Sequence, residues 1–199
     1  TLGPKVSFLQ QDVVAPMDVA LLSHGIETVV HLAYMLRPNR KQSVMRHINV
    51  GGTVNLLEAC HDTNVSKIVY LSSTSVYGAH VDNPPMLTEE AIPRPIRGFQ
   101  YSEDKAQTET ILQTYSQRMP EITTTILRSC PVLGPNADNF ISRAFLKPLL
   151  VAVGGYDPPM QFLHEDDLTD ILIRCILDDV PGLYNIAGNE VVSWSEMAK

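Results

Sequence analysis

Tyr101 and Lys105 stand four residues apart in GFQYSEDKAQ (98–107). If that segment is helical, one turn separates them and both side chains share a face. A lysine ammonium near a phenol favours the phenolate, which suits a tyrosine that gives and takes a proton near neutral pH. With seven tyrosines in the chain, the spacing also fits two polar residues on a solvated helix. SSTSVYG (72–78) adds hydroxyls directly after an apolar run. Serine, phenol and ammonium gathered at one place make a proton-transfer site for an alcohol or carbonyl, and such a site needs a hydride partner.

The elements that must position these groups alternate along the chain. VSFLQ (6–10), ETVVHLA (27–33), KIVYLSS (67–73), ITTTILR (122–128) and GLYNIAG (182–188) read as strands. Helical patterns are expected at 16–22, 44–62, 99–118, within 136–150, and from FLHEDD (162–167) to Leu177, with Asp166 or Asp167 as the cap of the last. Residues 79–100 carry Pro84, Pro85, Pro93 and Pro95 and read as one long irregular connection. Strands separated by helices imply a parallel α/β sheet, whose ligands sit beyond the carboxyl ends of the strands. Ala33, Ser72–Ser75 and Arg128–Pro131 therefore share one rim.

The bulk numbers fit that picture. A chain of 199 residues, 44% hydrophobic and 19% charged, can bury a full core. A net charge of −7 without a basic stripe argues against nucleic acid as a partner. No apolar run reaches membrane-spanning length and no signal-peptide pattern opens the chain. Cys60, Cys130 and Cys175 are odd in number and lie in apolar contexts, as reduced core residues of a cytoplasmic protein would. No Cys or His pair has zinc-finger spacing, and the cluster His164, Glu165, Asp166, Asp167 reads as helix capping rather than a metal site. His31 reads as a core imidazole.

Taken together, the motifs resemble the extended short-chain dehydrogenase/reductase family, in its NAD-dependent epimerase/dehydratase group. QQDV (10–13), VVHLA (29–33), HINVGGTVNLLEAC (47–60), SSTSVYG with YSEDK, LRSCPVLGP (127–135), FLHEDDL (162–168) and GLYNIAG match the family's landmarks in order. The resemblance implies a Rossmann-type doubly wound, mostly parallel sheet with helices on both faces and a small C-terminal substrate lobe. Residues 1–135 would form the dinucleotide-binding domain and 136–199 a partial lobe interleaved with the last strand. It further implies hydride transfer between NAD or NADP, NAD being the commoner in the group, and a secondary alcohol or ketone of a small molecule. Counting from Tyr77 places the catalytic hydroxyl at Ser73, with Tyr101 as acid/base and Lys105 lowering its pKa. Cofactor contacts would fall to Asp12, Val13, Leu32, Ala33, Asn49, Ser72, Tyr101, Lys105 and Cys130. Asn49 would either support Lys105 or make a local hydrogen bond. A homodimer through helices 44–62 and 99–118 is also implied.

Three departures from the family pattern stand out. The glycine-rich dinucleotide loop and the first two strands are absent, so the resemblance marks the chain as an internal piece. Nucleotide-sugar enzymes of the group carry an asparagine where Pro131 stands and an arginine where Met160 stands, which argues against a nucleotide-sugar substrate. Arg143 and Lys147 read as a solvated helix face. Two other readings remain open: a non-catalytic nucleotide-sensing or interaction protein on the same fold, or a piece inert by itself.

Overall fold

The computed structural model describes residues 5–15, 25–36, 42–61, 63–145, 147, 154–155 and 157–197. In chain order the elements are β1 (Thr28–His31), α1 (Gln42–Arg46), a wide i→i+5 turn (His47–Gly51), α2 (Gly52–His61), β2 (Lys67–Ser73) and a 3₁₀ turn (Thr74–Tyr77). There follow α3 (Gln100–Arg118), β3 (Thr123–Ser129), β4 (Val132–Leu133), α4 (Phe140–Phe145), β5 (Pro159–Gln161) and β6 (Leu163–His164). The last are α5 (Glu165–Leu177), β7 (Gly182–Ile186), β8 (Val191–Ser193) and α6 (Trp194–Met197).

The main sheet is parallel throughout, in the order β1-β2-β3-β7. Apolar residues at consecutive positions of β2 demand cover on both faces, and both are covered. Ile68, Tyr70 and Ile126 pack with Leu56, Leu57 and Cys60 of α2 and Leu112 of α3. Val69 and Leu127 face the other way, toward Cys175 of α5 with Leu168, Ile171 and Leu172. Lys67 spans the sheet's lower end: its Nζ donates to the carbonyls of Ile176 (3.1 Å) and Asp178 (2.8 Å), capping the C-terminus of α5. The expected Rossmann-type α/β arrangement, helices on both faces of a parallel sheet, is present. Two short pairs, β4–β6 and antiparallel β5–β8, lie outside the main sheet. No helix among the described residues is long and apolar enough to cross a membrane.

Three expectations change, and a fourth lies outside the described residues. Residues 6–10 form no strand: Val6, Phe8 and Leu9 are exposed, and β-branched and aromatic content makes a strand only where a neighbour supplies the ladder. The helix expected at 16–22 lies outside the described residues. The helix of 44–62 is interrupted at His47–Gly51, where Asn49 sits. The cap of α5 is His164, not an aspartate: its ring Nδ1 accepts from the backbone N–H of Asp166 at 3.2 Å.

Candidate active site

Strand β2 and helix α3 build the site between them. Ser73 is the last residue of β2 and pairs with Ser129 of β3, so its hydroxyl emerges at the carboxyl rim of the sheet. Its Oγ also accepts from the Ser75 N–H at 3.2 Å, which starts the 3₁₀ turn. Tyr101 lies in the first turn of α3, and its phenol meets Ser73 there. Burial raises the Tyr101 pKa, and the hydrogen bond with Ser73 opposes that rise.

Lys105, one turn further on, is buried at 4% exposure. Its Nζ donates to the Leu71 carbonyl at 2.7 Å and lies 3.9 Å from the Tyr34 ring centroid, 4.7 Å from Tyr70 and 5.9 Å from Tyr101. Burial pulls its pKa down to about 7, with the Glu109 carboxylate pulling the other way. Near neutral pH, ammonium and amine are thus close to balance. The Lys105 Nζ faces the Leu71 carbonyl and the Tyr34 ring, and the Ser73 hydroxyl is the hydrogen-bonding group that eases the Tyr101 phenol.

The other expected contacts divide. Leu32 and Ala33 are exposed just past the end of β1, open to the rim. Asp12 is exposed too, though its carboxylate accepts from the Val14 N–H at 3.1 Å within its own turn. Val13 is held against α2: its carbonyl accepts from Asn55 at 3.0 Å, and its side chain fills the space over Gly52. Ser72 is a correction. It is 3% exposed, and its hydroxyl donates to Glu109 Oε1 at 2.5 Å, so it points into the core and not to a ligand. Side chains alternate along a strand, so Ser72 and Ser73 lie on opposite faces of the sheet. Cys130 is buried where β3 ends, its N–H given to the Ile186 carbonyl. Burial pushes its thiol pKa up, against a hydrogen bond from Thr74. Asn49 makes no direct bond to Lys105, and its side-chain partners lie outside its own helix. Its Oδ1 accepts from the Met35 N–H (2.8 Å), and its Nδ2 reaches the Met35 carbonyl (3.4 Å) and Asp104 Oδ2 (3.3 Å).

Two features escaped the sequence reading. Tyr34 is one, standing over Lys105. The other is a polar network beneath the site, in which Arg128 grips Glu109 through Nε and Nη2 and donates from Nη1 to the Tyr77 hydroxyl at 2.7 Å. Tyr77 in turn donates to Asn185 Oδ1 of β7 (2.7 Å), whose N–H is held by Glu89 (2.8 Å). An arginine inside the apolar strand TTTILRS was the available signal, because a charge there requires a buried partner. His31 is the core imidazole expected, its Nε2 2.9 Å from Thr53 Oγ1. Among the described residues no three His, Cys, Asp or Glu side chains gather as metal ligands.

The family model of the NAD dependent epimerase/dehydratase family matches residues 4–187. The chain belongs to that family. Among solved structures it is similar to UDP-glucuronic acid 4-epimerase from Bacillus cereus in complex with NAD, with a TM-score of 0.82 and 26% identity over 96% of this chain and 63% of the other. It is similar to an uncharacterised protein of Mycobacterium tuberculosis, 29% identical over 96% of this chain and 52% of that one. Human dTDP-D-glucose 4,6-dehydratase is 27% identical over 96% of this chain and 57% of its own length. The chain thus spans about half the length of the curated relatives it matches. Within this epimerase/dehydratase family member, Ser73, Tyr101 and Lys105 are among the polar side chains that the fold brings together between β2 and α3.

Proposed function

We propose that this chain carries the proton-transfer site of an NAD(P)-dependent enzyme of epimerase or dehydratase type, acting on a secondary alcohol or ketone. The observation that carries the reading is the convergence of Ser73, Tyr101 and Lys105 at one rim of the sheet. The residues present fit the nicotinamide half of a dinucleotide: Lys105 and Tyr101 supply donors, while Leu32 and Ala33 leave an apolar edge bare beside them. In this proposal Asp12 and Val13 meet its far end, and Cys130 borders the nicotinamide. When bound, the cofactor accepts or returns a hydride. Tyr101 holds and moves the proton at the substrate oxygen, and Ser73 donates a hydrogen bond to that oxygen. Lys105 sets the charge beneath the tyrosine.

The substrate side favours a small molecule without a diphosphate. Residues 136–199 hold ten Asp and Glu against four Lys and Arg. Arg143 is tied to Asp138 at 2.5 and 2.7 Å and Arg174 to Asp178 at 3.7 Å, so both guanidinium groups already face carboxylates. Met160 sits in β5 opposite Val192, and Pro131 has no side-chain donor. The division at residue 135 into a dinucleotide domain and a substrate lobe, and a homodimer through the helices of 44–62 and 99–118, belong to the same proposal.

The test is Tyr101→Phe in this chain. NADH formation from a panel of secondary alcohols is expected to fall about 10²–10⁴-fold, with NADH binding by fluorescence retained. Undiminished turnover in the variant sinks the reading. NADH binding by the wild type without turnover of any alcohol supports the sensing alternative.

A further inference from the structure

We propose that Tyr34 is a positioning residue of this site, its ring clamping the Lys105 side chain against the Leu71 carbonyl and Asn49 clamping the peptide that carries it. The proposal rests on the reading of Lys105 as the lysine of the proton-transfer site. Tyr34 lies three residues past the end of β1, in a segment without regular structure. A side chain on such a segment holds its place only through its own contacts, and Tyr34 makes several, among them a side-chain hydrogen bond with Asn49. Lys105 Nζ stands 3.9 Å from its ring centroid, closer than to any other ring. Tyr101 packs against it edge-on, with centroids 5.4 Å apart and planes at 81°. Its hydroxyl donates to the Tyr101 backbone carbonyl at 3.1 Å, which ties the first turn of α3 to the end of β1.

The next residue explains why the ring stays there. Both backbone groups of Met35 are held by the Asn49 side chain, which itself reaches Asp104 on α3. Asparagine is a poor helix former, and here it occupies the wide turn that interrupts its helix. The support it gives Lys105 is therefore indirect, running through Met35 and Tyr34 instead of through a bond to the ammonium. The electron-rich face of an aromatic ring attracts a cation, the more so when water is excluded. Tyr34 itself stays neutral, because burial drives its phenol far above the ordinary range.

The groups that face Lys105 are His31 from β1, Tyr70 from β2, Tyr101 and Glu109 from its own helix, and Tyr34. Only Tyr34 is changed in the test, which follows the Lys105 side-chain amine by NMR titration in the 199-residue chain. Tyr34→Phe keeps the ring and is expected to leave the Lys105 titration in place. Tyr34→Leu keeps the site dry but removes the ring face, so the Lys105 pKa falls. Tyr34→Ala lets water in, so it rises. Identical Lys105 titration in the Phe and Leu variants overturns the proposal, and those two near-isosteric changes decide it even if the alanine variant does not fold. No cofactor or substrate is needed, so the outcome is separate from that of the Tyr101→Phe turnover experiment.

Discussion

Glu109 and Arg128 meet at 2.7 Å across the interface between α3 and β3, each side chain 2% exposed. Ser72, one residue before the proposed catalytic serine, donates to this glutamate, which is one turn beyond Lys105. The pair thus sits under both polar ends of the site and fixes strand to helix.

Glu109→Gln keeps an acceptor for Ser72 but strips the charge. A buried guanidinium left without its carboxylate costs about 3–5 kcal/mol, and chemical denaturation should show that loss. Because the carboxylate holds the Lys105 pKa up, the same variant should move Lys105 further below about 7. The double change Glu109→Met with Arg128→Met should recover most of the stability, since no unpaired charge is left inside. A double mutant as unstable as the single one would contradict this account.

Lys105→Met separates stability from function. Burial lowers the Lys105 pKa from 10.5 to about 7, so between those values the unfolded chain binds more protons than the folded one. Stability therefore rises with pH across that window, and below it the folded state bears the whole cost of a buried ammonium. That cost is on the order of 5 kcal/mol, at about 1.4 kcal/mol per pKa unit. The methionine variant should melt above wild type at pH 6.5, and the gap should close toward pH 10. A gap that does not change with pH excludes the buried ammonium as its cause.

His31 works the same way at lower pH. Burial first, and the charge on Lys105 second, lower its pKa from 6.5 to about 4. Thr53 gives its one hydroxyl proton to the Asn49 carbonyl, so it accepts from His31 Nε2–H, and protonation must charge the buried ring. The stability this neutral ring confers is full above pH 6.5 and is lost as pH falls from 6.5 to 4, roughly 3 kcal/mol in all. In His31→Gln that part of the acid transition should vanish, as followed by circular dichroism between pH 7 and 4.

Adjacent glycines should behave differently. A Cβ on Gly52 would stand 2.7 Å from Val13 Cγ2, whereas one on Gly51 meets only the mobile edge of the His47 ring at 3.3 Å. Gly52→Ala should therefore dislodge Val13 and its turn, at a cost of about 1–3 kcal/mol. Gly51→Ala should be close to neutral in a thermal melt. Methyl NMR of Val13 reports the displacement directly, and an unmoved Val13 signal in Gly52→Ala would count against the packing described.

Much of this was legible in the residues. The consecutive apolar positions of KIVYLSS and the helix-length segments between strands specify a parallel sheet covered on both faces, because only that arrangement buries both sides of a strand. The Tyr101–Lys105 spacing and the hydroxyls of SSTSVYG point to polar side chains meeting between β2 and α3, because a helical turn and a strand end have fixed geometry. Ser72 was misjudged because motif position does not say which side of the pleat a residue takes. VSFLQ was misjudged because strand propensity cannot reveal whether a neighbour is there to pair with.

The sequence by itself determined the family, through the order of its motifs, and most of the alternation of strands and helices, which follows from local periodicity. Only the tertiary structure decided what surrounds Lys105. Its Leu71 carbonyl, its Tyr34 ring and the Asn49 bonds that hold that ring come from segments 14 to 71 residues apart along the chain. Their burial sets the charge of the lysine, and burial is a property of packing that no local pattern of residues contains.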